Sequence, residues 1–127
     1  NKKTNILGVT VLTSLDKKQT LKYYKEKNVN NLVKKFANYA KKNNLSGLVC
    51  SPLEINIVRQ EVGKKMILVV PGIRPIKKIS SKKDDQKRTL TPKQAIDLGA
   101  DFLVIGRPII ESKNPLETIK KINQSIQ

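Results

Sequence analysis

Two short motifs place a glycine and an arginine directly after apolar segments. Residues 71–75 (Pro-Gly-Ile-Arg-Pro) follow the apolar residues 66–70, and residues 105–108 (Ile-Gly-Arg-Pro) end the apolar segment 102–105. Glycine lets a ligand approach the backbone closely, and the planar guanidinium of arginine can bind an oxyanion through two hydrogen bonds. Glycine and arginine at two segment ends therefore predict a site for a phosphate-like anion.

The elements that must position these motifs follow from the hydrophobic pattern. The apolar segments do not alternate with polar residues, which is typical of strands in a parallel sheet that is buried on both faces. We predict strands at residues 6–12, 47–50, 66–70 and 102–105, and helices at residues 31–42, 52–60, 92–98 and 115–126. Strand and helix alternate four times, which predicts an α/β fold with parallel strands and helical crossovers. Residues 74–91 are polar and irregular.

Three of the predicted helices begin with the same capping chemistry. A capping side chain precedes proline, and Glu or Gln follows three residues after the cap, at Ser51, Thr91 and Asn114. Gly99 follows residues 92–98 as a predicted C-terminal stop. These signals predict element boundaries and carry no catalytic role.

Four strand–helix units correspond to half of an eight-unit barrel, which typically has about 250 residues. In such a barrel, ligands bind at the carboxyl ends of the strands, where both glycine–arginine motifs fall. We predict that residues 1–127 form a single partial domain, a parallel (β/α) half barrel. Because a half barrel leaves its inner face uncovered and two sheet edges unpaired, we expect poor solubility or self-association. A complete small α/β protein with a closed-off sheet is the alternative.

Composition restricts the classes of function. The net charge is +16, from 22 lysines and four arginines that are mostly scattered and have no interleaved aromatic residues. This pattern favours a solvated surface over a nucleic-acid interface, although the positive field can attract a phosphorylated metabolite. The chain has no histidine, which excludes Ser-His triads, and one cysteine, Cys50, which indicates a reducing compartment. No apolar segment is long enough for a membrane span.

Five sequence elements together resemble one enzyme family. They are residues 9–14 (VTVLTS), 47–51 (GLVCS), 71–75 (PGIRP), 84–88 (DDQKR) with the following Thr91-Pro92, and 99–108 (GADFLVIGRP). In this order and spacing they resemble the bacterial type of the orotidine 5′-phosphate decarboxylase family. The resemblance extends over essentially the whole chain and corresponds to strands five to eight of its TIM (β/α)8 barrel.

The resemblance implies a cytoplasmic carbon–carbon lyase that uses no cofactor or metal. It would convert orotidine 5′-monophosphate (OMP) to UMP and CO₂ in pyrimidine biosynthesis, as a homodimer when full length. The implied substrate-binding residues are Thr13, Arg74, Gln86, Gly106 and Arg107. Arg107 and the backbone N–H of Gly106 would bind the 5′-phosphate, Arg74 and Gln86 would reach it from a closing loop, and Thr13, beside Ser14, would lie near the pyrimidine.

One part of the family pattern is missing. The family's catalytic group is an Asp-x-Lys-x-x-Asp array after strand three, and no segment of this chain contains it. Asp16 and Asp85 begin similar spacings, but Leu21 and Leu90 occupy the position of the second aspartate. We therefore expect no decarboxylase activity from the chain alone. Cys50 is interpreted as a small buried residue. Two alternatives remain: another phosphosugar-binding barrel enzyme, and a basic non-enzymatic protein that binds nucleic acid.

Overall fold

The structure, a computed structural model, describes residues 4–12, 15, 17–75 and 89–127. Its strands are β1 (Leu7–Val9), β2 (Gly47–Val49), β3 (Ile67–Pro71) and β4 (Phe102–Val104). Its helices are α1 (Lys17–Tyr24), α2 (Val29–Lys42), α3 (Ile55–Val62), α4 (Pro92–Asp97), α5 (Arg107–Ile110) and α6 (Pro115–Ser125), with a 3₁₀ turn at Pro52–Glu54 before α3.

The four strands form one parallel sheet in the order β1-β2-β3-β4. The register pairs Val9 with Val49, Val49 with Val69, and Val69 with Phe102. Every strand is therefore hydrogen-bonded to its neighbour in the sequence, with a helical crossover between them. The predicted parallel α/β architecture is confirmed.

The two faces of this sheet differ in burial. Because side chains alternate along a strand, the register separates the residues into two sets. Leu48, Leu68 and Val70 point toward the helices and are buried. The opposite side, hereafter the inner face, is entirely apolar and consists of Leu7, Val9, Gly47, Val49, Ile67, Val69, Pro71, Phe102 and Val104. The apolar segments alone predicted burial on both faces, but no element covers this side in the part of the chain that is described, as expected for a half barrel.

The core lies between the sheet and the helices. Helix α2 contributes Leu32, Val33, Ala37 and Ala40, which are buried as the helical spacing predicted. Helix α3 adds Ile55 and Val58, and helix α4 adds Ala95, all fully buried. These helices therefore cover only one face of the sheet.

The capping signals place the helix boundaries. The Ser51 N–H donates to Glu54 Oε2 (3.1 Å), and Thr91 and Gln94 form a reciprocal pair of hydrogen bonds at the start of α4. Asn114 Oδ1 accepts from the backbone N–H of Glu117 at the start of α6. Gly99 follows α4 with φ of +107°, which favours glycine.

Two helices were not predicted, and a third begins earlier than expected. Helix α1 buries only Thr20 and so lacks an apolar stripe that a sequence pattern could reveal. Helix α5 has four residues, too few for a periodic pattern. Helix α2 starts at Val29 rather than at residue 31, because Asn28 Oδ1 accepts hydrogen bonds from the N–H groups of Asn30 (3.0 Å) and Asn31 (3.4 Å).

Among the described residues, no helix combines the length and the apolar character that crossing a membrane requires.

Candidate active site

Both arginine motifs leave the sheet at the same edge. Strands β3 and β4 are paired so that Pro71 lies beside Val104, and Arg74 and Arg107 each follow three residues later. Neighbouring strands in a sheet are about 4.8 Å apart. The fold therefore brings the two predicted motifs together at the carboxyl ends of adjacent parallel strands.

The chain that leaves β3 is anchored before it reaches Arg74. Gly72 turns it with φ of +79°, and the following Ile73 is fully buried in the core. The Arg74 N–H donates to the Leu90 carbonyl (3.0 Å), and its Nη1 donates to the Ile73 carbonyl (3.2 Å). Arg74 is thus held at the base of the segment that precedes α4. Gln86 belongs to that segment and lies outside the described residues.

The chain that leaves β4 turns directly into α5. The Gly106 carbonyl accepts from the N–H groups of Ile109 (2.8 Å) and Ile110 (3.2 Å). A Cβ built on Gly106 would meet no atom within 4 Å, so the space beside its backbone is open to a ligand. Arg107 is exposed, and its guanidinium forms no hydrogen bond or ion pair within the described parts of the chain. This guanidinium is available for an anion.

A buried carboxylate connects the ends of β1 and β2. Glu54 Oε2 accepts from the Ser51 N–H (3.1 Å) and lies 3.4 Å from the hydroxyl of Thr10, which is also 3.2 Å from the Val49 carbonyl. Thr10 and Glu54 are both buried. The sequence predicted the cap but not the contact with Thr10, because no local signal connects residues so far apart. Thr13 and Ser14, which follow Thr10, lie outside the described residues.

Cys50, at the end of β2, is buried and unpaired by any disulfide. Burial raises the pKa of its thiol to about 12, and the negative charge of Glu54 adds to this shift while Arg59 opposes it. The thiol therefore stays protonated at neutral pH and is a poor nucleophile. This agrees with the interpretation of Cys50 as a small core residue.

Arg59 organises the opposite, amino-terminal end of β3 and β4. Its Nε donates to the Gly99 carbonyl (2.8 Å), its Nη1 to the carbonyls of Gly63 and Met66 (both 2.8 Å), and its Nη2 to Asp101 Oδ2 (2.6 Å). Asp101 Oδ2 also accepts from the Leu68 N–H (2.7 Å). Residues at this end of a parallel barrel serve stability rather than catalysis. No local sequence signal indicates these partners, because Gly99 and Asp101 lie about 40 residues from Arg59.

Within the described ranges, no group of three or more His, Cys, Asp or Glu side chains could hold a metal ion.

Comparison with known proteins gives one consistent result. The sequence model of the orotidine 5′-phosphate decarboxylase / HUMPS family matches residues 1–122. The chain belongs to this family. Similar proteins include the orotidine 5′-phosphate decarboxylases of Glaesserella parasuis, 45% identical over 121 residues, and of a Wolbachia pipientis strain, 46% identical over 125 residues. These alignments cover 95% and 98% of this chain but only 51% and 54% of the relatives.

The fold comparison agrees with the sequence comparison. The crystal structure of orotidine 5′-phosphate decarboxylase from Lactobacillus acidophilus superposes with a TM-score of 0.76 at 29% identity. The superposition covers 97% of this chain and 49% of that one. The chain thus spans about half the length of its relatives, and the predicted half of a TIM barrel is confirmed.

Proposed function

We propose that this chain is the phosphate- and substrate-binding half of an orotidine 5′-phosphate decarboxylase, a carbon–carbon lyase that converts OMP to UMP and CO₂. The observation that carries this proposal is the placement of Arg74 and of Gly106-Arg107 at the ends of two adjacent parallel strands. Relatives that are named orotidine 5′-phosphate decarboxylase and are 45–46% identical support the reaction. The full-length protein would be a cytoplasmic homodimer.

In this proposal the five predicted residues divide the substrate between them. Arg107 and the Gly106 N–H bind the 5′-phosphate, where the open space beside Gly106 admits an oxyanion. Arg74 and Gln86 reach the same phosphate as the segment between them closes, and Thr13 contacts the pyrimidine end. The phosphate is remote from the carbon that loses CO₂, so its binding energy serves closure and desolvation of the reacting end rather than chemistry.

The lysine that protonates the carbanion after CO₂ departs has to come from outside residues 1–127, because this sequence contains no Asp-x-Lys-x-x-Asp array. The chain alone therefore binds ligand without turning it over. Binding and turnover can be tested separately.

The binding test compares the thermal stability of the chain with and without UMP. A ligand that binds only the folded state stabilises it by RT ln(1 + c/Kd), where c is the free ligand concentration, so the melting temperature rises with ligand concentration and reports Kd. UMP should raise the melting temperature, and uridine, which lacks the phosphate, should not. Arg107→Ala and Arg74→Ala should each raise the Kd for UMP by about tenfold or more. Lys120→Ala, which removes one exposed positive charge from α6, is the matched control and should leave the UMP effect unchanged.

Two outcomes would favour the alternatives. Stabilisation by ribose 5-phosphate equal to that by UMP would indicate another phosphosugar-binding barrel. Indifference to UMP, combined with duplex DNA binding whose log affinity falls linearly with log salt, would indicate a nucleic-acid-binding protein.

A further inference from the structure

Glu54 differs in burial from the residues that hold the same capping position at the other two helix starts. Gln94 follows the cap at Thr91, Glu117 follows the cap at Asn114, and both of these side chains are exposed. Glu54 retains only 8% of its accessible surface. Capping requires contacts within one turn, so it does not account for the burial of Glu54.

The additional contact of Glu54 is with the preceding strand–helix unit. Its Oε2 accepts from the Ser51 N–H (3.1 Å), which is the cap, and also lies 3.4 Å from the hydroxyl of Thr10. Thr10, one residue beyond β1, is 5% exposed, and its N–H donates to the Val49 carbonyl (3.0 Å). Because a buried polar group is destabilising unless it has a hydrogen-bond partner, these contacts hold Thr10 in one place at the carboxyl end of the sheet.

The chain beyond Thr10 is anchored at further points. Val11 is buried in the core between the sheet and the helices. The Leu15 N–H donates to the Leu12 carbonyl (3.0 Å), and the Leu15 side chain packs against the same core. Thr13 follows Thr10 by three residues, and a chain extends by at most about 3.6 Å per residue, so Thr13 lies within about 11 Å of Thr10. A shift of Thr10 therefore changes where Thr13 can lie.

We propose that Thr10 and Glu54 are positioning residues for the pyrimidine end of the substrate. Glu54, from one strand–helix unit, fixes Thr10 at the end of the neighbouring strand, and Thr10 fixes the point from which the chain continues to Thr13. Thr13 contacts the pyrimidine in the proposed function, on which this inference rests. Thr10 and Glu54 are buried and act through Thr13 rather than by touching the substrate.

A displaced end of β1 should weaken contacts with one part of the ligand only. Hydrogen bonds weaken steeply as their geometry departs from the optimum, so a small shift of Thr13 reduces the contribution of the pyrimidine to binding. Arg74 and Arg107 follow β3 and β4, and the Arg74 N–H is held by the Leu90 carbonyl (3.0 Å). Because neither arginine depends on the end of β1, phosphate binding should not change.

Isothermal titration calorimetry of the 127-residue chain with UMP and with ribose 5-phosphate tests this inference. Ribose 5-phosphate has the phosphate but lacks the pyrimidine, so the ratio of its Kd to the Kd of UMP measures what the pyrimidine contributes. Thr10→Val keeps the shape of the side chain and removes the hydroxyl. It should lower this ratio by about threefold to tenfold, the contribution of one hydrogen bond, with the Kd of ribose 5-phosphate unchanged. Thr10→Ser, which retains the hydroxyl, should keep the wild-type ratio.

Two further variants separate positioning from a general loss of stability. Thr118→Val is the matched control, because the Thr118 hydroxyl also has two partners, the Asn114 carbonyl (3.1 Å) and Ser112 Oγ (2.7 Å), but lies on α6. It should leave the ratio unchanged. Glu54→Ala removes the contact from its other side and should lower the ratio as Thr10→Val does. The double variant should lower the ratio no further, because the two residues act through one contact.

Equal weakening of both ligands by Thr10→Val, or no change in either Kd, would overturn this inference and leave the proposed function intact. A wild-type chain that binds neither ligand, or binds both with the same Kd, would overturn the proposed function and this inference with it. Urea midpoints show whether each variant folds. If Thr10→Val does not fold, the ratio for Glu54→Ala decides in the same way.

Discussion

Removal of the Arg59 guanidinium should produce a large loss of stability that arises at the amino-terminal end of the strands, opposite the proposed phosphate site. The side chain is 14% exposed and donates four hydrogen bonds of 2.6–2.8 Å, three of them to backbone carbonyls of the loops before β3 and β4. Hydrogen bonds to a charged group contribute about 1.5–3 kcal/mol each when taken alone.

The total for Arg59→Ala is smaller than the sum of these bonds, because the freed carbonyls can bind water in the open cleft between α3 and α4. We expect a decrease of about 3–4 kcal/mol in the free energy of unfolding, roughly the contribution of two such hydrogen bonds. The ion pair contributes the minor part, since Asp101 is 43% exposed. Asp101→Asn, which retains an acceptor for the Leu68 N–H, should therefore cost only about 1 kcal/mol.

Urea denaturation followed by far-UV circular dichroism measures these differences, since the free energy of unfolding falls linearly with urea. Lys93→Ala is the control, because it breaks the exposed Lys93–Asp97 pair (3.5 Å) on α4 and should cost less than about 0.5 kcal/mol. An Arg59→Ala variant as stable as Lys93→Ala would refute the assignment of Arg59 as the residue that holds these loops together.

Three further predictions follow from particular residues. Gly47→Ala should destabilise the chain by about 1–3 kcal/mol, because the new Cβ would overlap the carbonyl and Cβ of Ile67, whereas Gly106→Ala should leave the urea midpoint unchanged and weaken only UMP binding. Cys50 should resist alkylation at pH 8 until urea unfolds the chain. Because the pKa of its thiol rises from 9.0 to about 12 on folding, the stability that the protonated thiol contributes is complete below pH 9.0 and is lost as the pH rises to about 12. In a full-length chimeric enzyme, Arg107→Ala should lower kcat as well as raise KM, since in the proposed function the energy of phosphate binding is used to desolvate the reacting end.

One measured outcome for each of these variants or residues would contradict the prediction made for it. Equal destabilisation by Gly47→Ala and Gly106→Ala would show that the space beside Gly106 is not open. Rapid alkylation of the folded chain would show that Cys50 is accessible. An Arg107→Ala variant with unchanged kcat would show that the arginine binds the ground state and the transition state equally well.

The parts of the fold that the sequence predicted depend on local signals. Four apolar segments located the strands, and the caps at Thr91 and Asn114 located two helix starts, because capping depends on residues three positions apart. Helix α1 escaped prediction because it buries only one side chain, Thr20, and so has no apolar stripe. Its position is set by tertiary context rather than by periodicity.

The sequence predicted one long-range feature of the site and missed two others. The order of the strands predicted that Arg74 and Arg107 would share one edge, since parallel strands carry their carboxyl ends to the same side. The contact of Glu54 with Thr10 joins residues from different strand–helix units, as does the bond from Arg59 to Gly99. Such contacts depend on how the crossovers pack, and neither composition nor spacing encodes that.

If this chain supplies the phosphate- and substrate-binding half of an orotidine 5′-phosphate decarboxylase, as we propose, it should restore activity when it is joined to the missing half. The most direct test joins residues 1–127 to the remaining half of the Glaesserella parasuis enzyme, in place of the segment to which they are 45% identical, and measures conversion of OMP to UMP and CO₂. We expect turnover by the chimera, its loss in the Arg107→Ala chimera, and none by the 127-residue chain alone. A folded chimera that binds no UMP and forms no product, or turnover by the isolated chain, would contradict the proposal.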